Sequence, residues 1–185
     1  MTVHPCSAII VAEAGDPGQC PMPAFEAIEG QRVLDRLMTT LAPFSDEIII
    51  VARDPAAYLE WDALIVSPHR GGNSVLEAVH AGLFAARHPH ALATWCRMPR
   101  LQPELIETLC RVAEPRWDAV IGTPGQTMAP LPGIYSKRCL TPMAHLIAKA
   151  RCDMGRLLEQ VHLRSIEAED LRTSDSQLQS YAITE

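Results

Sequence analysis

Ser7-Ala-Ile-Ile-Val-Ala12 is a short, continuously apolar run, as expected for a strand that is buried on both faces of a parallel sheet. Glu47-Ile-Ile-Ile-Val-Ala52 is a second run of the same kind. Ala63-Leu-Ile-Val-Ser67 and Ala91-Leu-Ala-Thr-Trp95 are two further strand candidates. Helical patterns separate these runs, and strands that alternate with helices predict a mostly parallel, three-layer α/β sheet.

The helical patterns have recognisable beginnings. One apolar stripe runs along the segment between the first two strands, at Val33, Leu34, Leu37, Met38 and Leu41. A second helix is predicted to begin at Ser74, which has capping-box spacing to Glu77. Further helices are predicted near residues 103, 141 and 153, and further strands over residues 119–122 and 131–135.

Composition limits the class of protein. A chain of 185 residues suits a single domain, here residues 1–185, and its net charge of −6 argues against nucleic-acid binding. No apolar run approaches the roughly 20 residues that cross a bilayer, and no secretory signal precedes the first strand, so we expect a cytoplasmic protein without membrane contact. The six cysteines include no Cys-x-x-Cys pair, which favours reduced thiols over a metal site.

In sheets of this kind, ligands bind beyond the carboxyl ends of the strands. The loops after residues 12, 52, 67 and 95 are therefore the predicted site. Candidate nucleotide-binding residues lie in these loops and at the following helix start: Ala12, Glu13, Ala14, Gly15, Arg53, Ser67, Arg70, Gly71, Gly72, Asn73 and Ser74. Arg97, two residues after Trp95, is the candidate catalytic residue, and no metal ligand is predicted.

Several motifs occur in an order that resembles the molybdenum cofactor guanylyltransferases, the MobA-like nucleotidyltransferases. Gly30-Gln-Arg-Val-Leu34 is similar to the family's Gly-x-Pro-Leu-Leu, and Cys96-Arg-Met-Pro99 to its Cys-Asp-Met-Pro. Gly71-Gly-Asn-Ser-Val-Leu76 resembles part of a Gly-Pro-Leu-Ala-Gly segment and its helix. Pro130-Leu-Pro-Gly-Ile-Tyr135 and Gly155-Arg-Leu-Leu158 are similar to two later landmarks. The resemblance implies the Rossmann-like sheet of the nucleotide-diphospho-sugar transferase type.

The resemblance also implies chemistry. Family members transfer a guanylyl group from GTP to molybdopterin and release pyrophosphate, with backbone amides of a glycine loop around the phosphates. Basic loop residues hold the triphosphate, and a carboxylate after the central strand holds Mg²⁺. GTP and Mg²⁺ are thus the ligands implied if this chain is active.

The sequence departs from the family at those functional positions. Ala12-Glu-Ala-Gly15 replaces Leu-Ala-Gly-Gly, and the loop over residues 16–23 contains no Lys or Arg, so Pro23 takes the place of the loop lysine. Arg97 takes the place of the Mg²⁺ carboxylate, and an arginine has no lone pair for a metal. Ser67 stands where an aspartate contacts guanine, and Tyr181-Ala-Ile-Thr-Glu185 where Asn-x-Asn-Thr-Pro is expected. These departures predict weakened or lost guanylyl transfer.

Three hypotheses follow. In the first, the chain is a divergent nucleotidyltransferase in which Arg97, Arg70 and Arg53 replace the usual phosphate and metal contacts. In the second, it is a non-catalytic protein that binds a nucleotide or pterin, or that pairs with a partner in cofactor delivery. The helix start at Asn73 and Ser74 motivates the second hypothesis, because free amides there can take an anion; a capped helix without ligand is the alternative. A transferase for another substrate is the third, from a faint similarity of Asn73-Ser-Val-Leu76 to sugar and isoprenoid cytidylyltransferases.

Overall fold

The computed structural model describes residues 7–14, 23–68 and 72–183. Nine strands are present in these ranges: β1 Ser7–Val11, β2 Ala27–Ile28, β3 Gln31–Arg32, β4 Glu47–Val51, β5 Leu64–Val66, β6 His90–Trp95, β7 Ala119–Thr123, β8 Ala129–Ser136 and β9 Leu163–Glu167. Six α-helices accompany them: α1 Val33–Leu41, α2 Val75–Ala85, α3 Pro103–Val112, α4 Leu140–Ala148, α5 Met154–Leu158 and α6 Ala168–Arg172. Every predicted strand and helix is present, to within one or two residues at most ends.

Seven strands form one sheet in the order β5-β4-β1-β6-β8-β7-β9, and β2 pairs with β3 in a small hairpin. The sheet is mostly parallel, as predicted, and β8 is the strand that runs antiparallel to both of its neighbours. In the centre, Ile9 of β1 lies between Ile49 of β4 and Ala93 of β6. Because β8 runs in the opposite direction, its first residues lie at the same edge of the sheet as the last residues of β6.

The two faces of β1 explain the three layers. Ala8 and Ile10 pack in a cluster with residues of α1 and α3, whereas Ile9 and Val11 pack in a second cluster with residues of α2, α4 and α5. All four side chains are fully buried, and burial of an isoleucine or valine side chain contributes about 1.5–3 kcal/mol. An apolar strand between two helix layers therefore stabilises the sheet on both sides.

The helix beginnings agree with the sequence. Ser74 is the N-cap of α2, where its hydroxyl accepts a hydrogen bond from the Glu77 amide and the Glu77 carboxylate accepts one from the Ser74 amide. This is the predicted capping box. Pro103 occupies the first turn of α3, where its missing amide hydrogen costs nothing. No helix in the described ranges is long and apolar enough to cross a membrane.

Candidate functional site

The strands β1, β4, β5 and β6 end together at one edge of the sheet. Hydrogen bonds from the residue after β1, β4 and β6 continue the strand pairing by one residue. The amide of Ala12 donates to the Val51 carbonyl over 2.9 Å, that of Ala52 to Val66 over 3.0 Å, and that of Cys96 to Val11 over 3.0 Å. The loops that the sequence singled out therefore begin side by side.

Glu13 is the centre of a polar cluster at this edge. Its Oε1 accepts a hydrogen bond from the Tyr58 hydroxyl at 3.0 Å, and its Oε2 lies 3.3 Å from both the backbone amide and Nε of Arg53. Arg53 Nη1 in turn donates to Asn73 Oδ1 at 3.1 Å. We call Glu13, Arg53, Tyr58 and Asn73 the Glu13 cluster. It joins the loop after β1, the loop after β4 and the residues before α2.

The Glu13 cluster is partly withdrawn from water. The Glu13 side chain is 9% exposed and the Arg53 side chain 30%. Burial and the negative charge of Glu13 raise the pKa of Tyr58, so its hydroxyl keeps the proton that it donates to Glu13. The carboxylate is thus satisfied by groups of the protein itself.

Three of the four cluster residues were candidates from the sequence, but their arrangement differs from the expected one. Arg53 was expected to replace a family contact and Glu13 to take part in nucleotide binding; instead the two side chains pair with each other. Tyr58 was not a candidate, because it lies in a 3₁₀ turn, Pro55–Tyr58, with no motif around it. Only the packing of that turn against β1 and β4 shows its role.

The start of α2 is closed by its own side chains. The amides of Ser74 and Glu77 are both engaged in the capping box, and the Glu77 carboxylate also accepts from the Ser74 hydroxyl at 2.7 Å. Gly72 lies directly beside it, since a Cβ on Gly72 would be 2.4 Å from the Glu77 carboxyl carbon. The predicted capping box is therefore present, and it engages two of the backbone amides at the start of the helix.

Arg97 follows β6 in a turn closed by a 2.8 Å hydrogen bond from the Met98 amide to the Trp95 carbonyl. Its guanidinium carbon lies 5.3 Å from the centre of the Trp95 ring, within range of a cation–π contact. Ser67 is exposed beyond β5. Ala12 is buried at the end of β1, and Ala14 packs on the cluster that contains Val11. Gly15, Arg70 and Gly71 lie outside the described residues.

The described residues at this edge do not fit Mg²⁺. Mg²⁺ prefers carboxylate oxygens and water, and Arg97 stands where the resemblance implies a carboxylate after β6. Two described carboxylates at this edge, Glu13 and Glu77, accept hydrogen bonds from the protein. Within residues 7–14, 23–68 and 72–183, no group of three His, Cys, Asp or Glu side chains is placed to hold a metal.

A cavity of about 420 Å³ lies at the same edge, beyond the end of β6 and the start of β8. Its walls include Trp95, Leu131, Tyr181 and the methionines Met98, Met128 and Met154. The Trp95 indole nitrogen and the Tyr181 hydroxyl are buried and have no hydrogen-bond partner in the described part of the chain. The sequence did not predict this cavity, because its walls come from five separate segments, although Met98, Leu131 and Tyr181 lie in segments that were compared with family motifs.

The comparisons with known proteins agree with the fold. The family model of the MobA-like NTP transferase domain matches residues 23–166. A molybdenum cofactor guanylyltransferase of Desulfosudis oleivorans is 30% identical over 158 residues, which are 85% of this chain and 78% of that protein.

Solved structures show the same architecture. Molybdopterin-guanine dinucleotide biosynthesis protein A from Archaeoglobus fulgidus superposes with a TM-score of 0.83 at 18% identity, over 96% of this chain and 91% of that one. The 2-C-methyl-D-erythritol 4-phosphate cytidylyltransferase from Thermus thermophilus superposes with a TM-score of 0.64 at 16% identity, over 91% and 97%. The sheet is therefore that of the nucleotide-diphospho-sugar transferase type, and the chain belongs to the family of MobA-like NTP transferase domains.

Proposed function

We propose that this chain serves molybdenum cofactor biosynthesis as a MobA-like domain that has lost metal-dependent guanylyl transfer and binds a nucleotide or pterin ligand without magnesium. The proposal rests on Arg97, which stands where the resemblance implies the carboxylate for Mg²⁺, at an edge where the described carboxylates Glu13 and Glu77 are already hydrogen-bonded. The relative from Desulfosudis oleivorans that is 30% identical to this chain carries the name molybdenum cofactor guanylyltransferase.

The Glu13 cluster supports the loss of a standard triphosphate site. A triphosphate that approached the end of β1 would meet a carboxylate with only 9% of its side chain exposed. Two like charges about 4 Å apart repel by roughly 4 kcal/mol near a protein surface. The guanidinium that could offset this repulsion is itself bound by Glu13 and Asn73. Binding of GTP in the family's manner would require this cluster to open.

The first experiment is a calorimetric titration of the protein with GTP, once with Mg²⁺ and once with a chelator, with CTP and ATP as comparison ligands. We expect GTP to bind weakly, with the same affinity in Mg²⁺ and in chelator. A transfer assay with GTP and molybdopterin, followed by pyrophosphate release, is expected to give no product. Magnesium-dependent pyrophosphate release by the unmodified protein would overturn the proposal and make the chain a divergent guanylyltransferase.

A pair of variants tests the role assigned to position 97. Arg97→Asp supplies a carboxylate after β6, and we expect it to make GTP binding stronger in Mg²⁺ than in chelator. Arg100→Asp changes the charge by the same amount on an exposed residue three positions further on, and should leave GTP binding independent of Mg²⁺. Equal responses of the two variants would show that net charge, not the position of the carboxylate, controls binding.

A further inference from the structure

His90 is a buried histidine at the start of β6, at the edge of the sheet away from the Glu13 cluster. It is 9% exposed, and neither Nδ1 nor Nε2 has a hydrogen-bond partner among the described residues. A neutral imidazole carries one N–H donor, whereas a protonated one carries two donors and a positive charge. Protonation would therefore leave a buried cation without an acceptor, and an unpaired buried charge is much less favourable than an unpaired polar group.

A fixed positive charge lies near this imidazole. Arg138, in the 3₁₀ turn after β8, donates from Nε to the Asp118 carboxylate and from Nη2 to two backbone carbonyls before Asp118, at 2.7 and 2.9 Å. These contacts hold the guanidinium in place, so it cannot move away when the imidazole gains a charge. Burial and, next, the positive charge of Arg138 lower the pKa of His90, and together they outweigh the opposite effect of Asp118. The ring is therefore neutral at pH 7.

The other titratable groups beside the turn offer no acceptor to the ring. In the same turn, Lys137 adds an ammonium group, and Cys139 stays a thiol because burial raises its pKa to about 12. Asp118 Oδ2 accepts from the backbone amide of His162 at 2.9 Å and lies 3.0 Å from His162 Nδ1. The carboxylate at this edge is thus already shared between two neighbours.

The charged groups on the side of β4 are paired among themselves. His88 Nε2 lies 2.9 Å from Asp46 Oδ1. The Glu47 carboxylate accepts hydrogen bonds from the Ser7 hydroxyl and from Arg87 Nε. None of these groups hydrogen-bonds to the buried imidazole in the described part of the chain.

The imidazole occupies the last rung of the pairing between β6 and β8. His90 pairs with Ser136, and next to this rung the Lys137 amide donates to the Pro89 carbonyl at 2.8 Å. The Ser136 amide donates to the Asp118 carbonyl at 2.7 Å. A terminal rung can open without disturbing the centre of the sheet, because the ends of a ladder are its least protected part.

We propose that His90 is a pH-sensitive latch: while its imidazole is neutral the start of β6 stays joined to β8 and the turn after it, and protonation releases this junction in mild acid. Because the folded pKa lies below the unfolded value of about 6.5, the stabilisation is present above about pH 6.5 and is lost as pH falls from there towards the folded pKa. The latch lies at the edge away from the candidate site, and the inference does not depend on nucleotide binding.

The first measurement is the protonation state of the ring, by long-range proton–nitrogen NMR of the histidine side chains in the unmodified protein. At pH 6 an unperturbed histidine is mostly protonated, and we expect His90 to be mostly neutral. Hydrogen exchange then locates the release. After correction for intrinsic exchange, the amides of Ser136 and Lys137 should lose protection by up to about tenfold between pH 7.5 and pH 5.5, while that of Ile9 in β1 keeps its protection.

Urea unfolding at pH 7.5 and pH 5.0 measures the effect on the whole fold. The unfolding equilibrium constant of the unmodified protein should rise by up to about 30-fold more than that of His90→Leu, the limit for a histidine that binds no proton when folded. His90→Gln is also uncharged at both pH values and should behave like His90→Leu. His145→Gln removes an exposed histidine and should keep the pH dependence of the unmodified protein.

Three results would each overturn the proposal. The first is a protonated His90 at pH 6 in a protein whose Lys137 amide stays protected. The second is an equal loss of protection at Ile9, which would mean global unfolding without a latch. The third is a pH dependence of stability in His90→Leu and His90→Gln that matches the unmodified protein. The NMR and exchange measurements need no variant, so a folding defect in either variant would not prevent the test.

Discussion

The Glu13 cluster and the apolar cavity lie at the same edge of one sheet and differ in how their polar groups are satisfied. In the Glu13 cluster a carboxylate, a guanidinium, a phenol and an amide hydrogen-bond to one another. In the cavity two buried donors have no partner among the described residues. A ligand at the Glu13 cluster would have to break existing hydrogen bonds, whereas the described walls of the cavity hold no such polar network.

The two regions also differ in what their charged side chains do. Beyond β1 and β4, charged side chains form contacts between loops, and this stabilises the fold. Beyond the end of β6 and the start of β8, the described lining residues of the cavity carry no charge, and Arg97 lies over the Trp95 ring. The following four predictions test that contrast through stability, from the largest expected effect to the smallest.

Gly122→Ala should have the largest effect on stability, because the new methyl group would overlap with Tyr181, which lines the cavity. The new Cβ would lie 2.0 Å from the Tyr181 hydroxyl and 3.0 Å from Leu171 Cδ1. We expect a loss of about 3 kcal/mol in the free energy of unfolding, measured in urea, as for other overpacked sites. Gly125→Ala is the control, since no atom lies within 4 Å of its Cβ position. Equal loss in both variants would show that Tyr181 is not held against β7.

Glu13→Ala should be next, because it leaves Arg53 and Tyr58 without their shared acceptor. We expect a loss of about 2 kcal/mol, the cost of leaving buried donors unsatisfied. Glu60→Ala is a matched control: Glu60 also accepts from an arginine, Arg32, but its side chain is 53% exposed. Its loss should stay below about 1 kcal/mol, as for other surface pairs. If the two variants lose the same stability, the Glu13 cluster is no stronger than a surface ion pair.

Asp118 extends the test to a second polar cluster, at the opposite edge of the sheet. Its Oδ1 accepts from Arg138 Nε and its Oδ2 from the His162 amide at 2.9 Å. Burial alone would raise its pKa, but the hydrogen bonds from Arg138 and His162 outweigh burial and lower the pKa below the usual aspartate value. Because the folded pKa lies below the unfolded one, this stabilisation is present above the unfolded pKa of about 3.9 and is lost as pH falls through the folded pKa.

The measurement is urea unfolding from pH 7 to pH 2.5. Asp118→Asn should lose about 1.5 kcal/mol at pH 7, the low end for hydrogen bonds to a charged group, and the difference from the unmodified protein should shrink as pH falls. Asp62→Asn, at an exposed position, should leave the pH profile of stability unchanged. A constant difference across the whole pH range would contradict the lowered pKa of Asp118.

Ser74→Ala should have the smallest effect of the four. It removes one side of the capping box between the Glu13 cluster and the cavity, and we expect a loss of about 1 kcal/mol by thermal or urea unfolding. Ser67→Ala, at an exposed residue beyond β5, should stay within about 0.5 kcal/mol. If Ser74→Ala is as neutral as Ser67→Ala, the helix start does not depend on its cap.

The sequence predicted most of the sheet, for a physical reason. β1, β4 and β6 are buried on both faces, so their sequences are apolar throughout and stand out from their surroundings. β9 was missed because it lies at the edge of the sheet, where Arg164 and Glu167 face solvent and the apolar signal is weak. The short helix α6 follows it directly and was missed with it.

The site was predicted in position but not in detail. Parallel strands bring their carboxyl ends together, so Glu13 and Arg53 were expected at one edge. That they pair, and that Tyr58 completes the cluster, depends on the packing of a 3₁₀ turn that no periodicity reveals. The cavity depends on contacts between residues as distant in the chain as Val75 and Ile183, which a single sequence does not encode in any local pattern.

The central place of β1 has a consequence for how the chain folds during synthesis. Ser7 pairs with Glu47 on one side and with Ala91 on the other, so β1 leaves the ribosome long before its second partner exists. Five consecutive apolar or small residues, Ser7–Val11, then remain without a complete partner set. Long-range parallel pairing is slow to form, and an exposed apolar strand of this kind is a site of aggregation. The strand at the centre of the finished sheet is therefore also an aggregation-prone segment while the chain is being made.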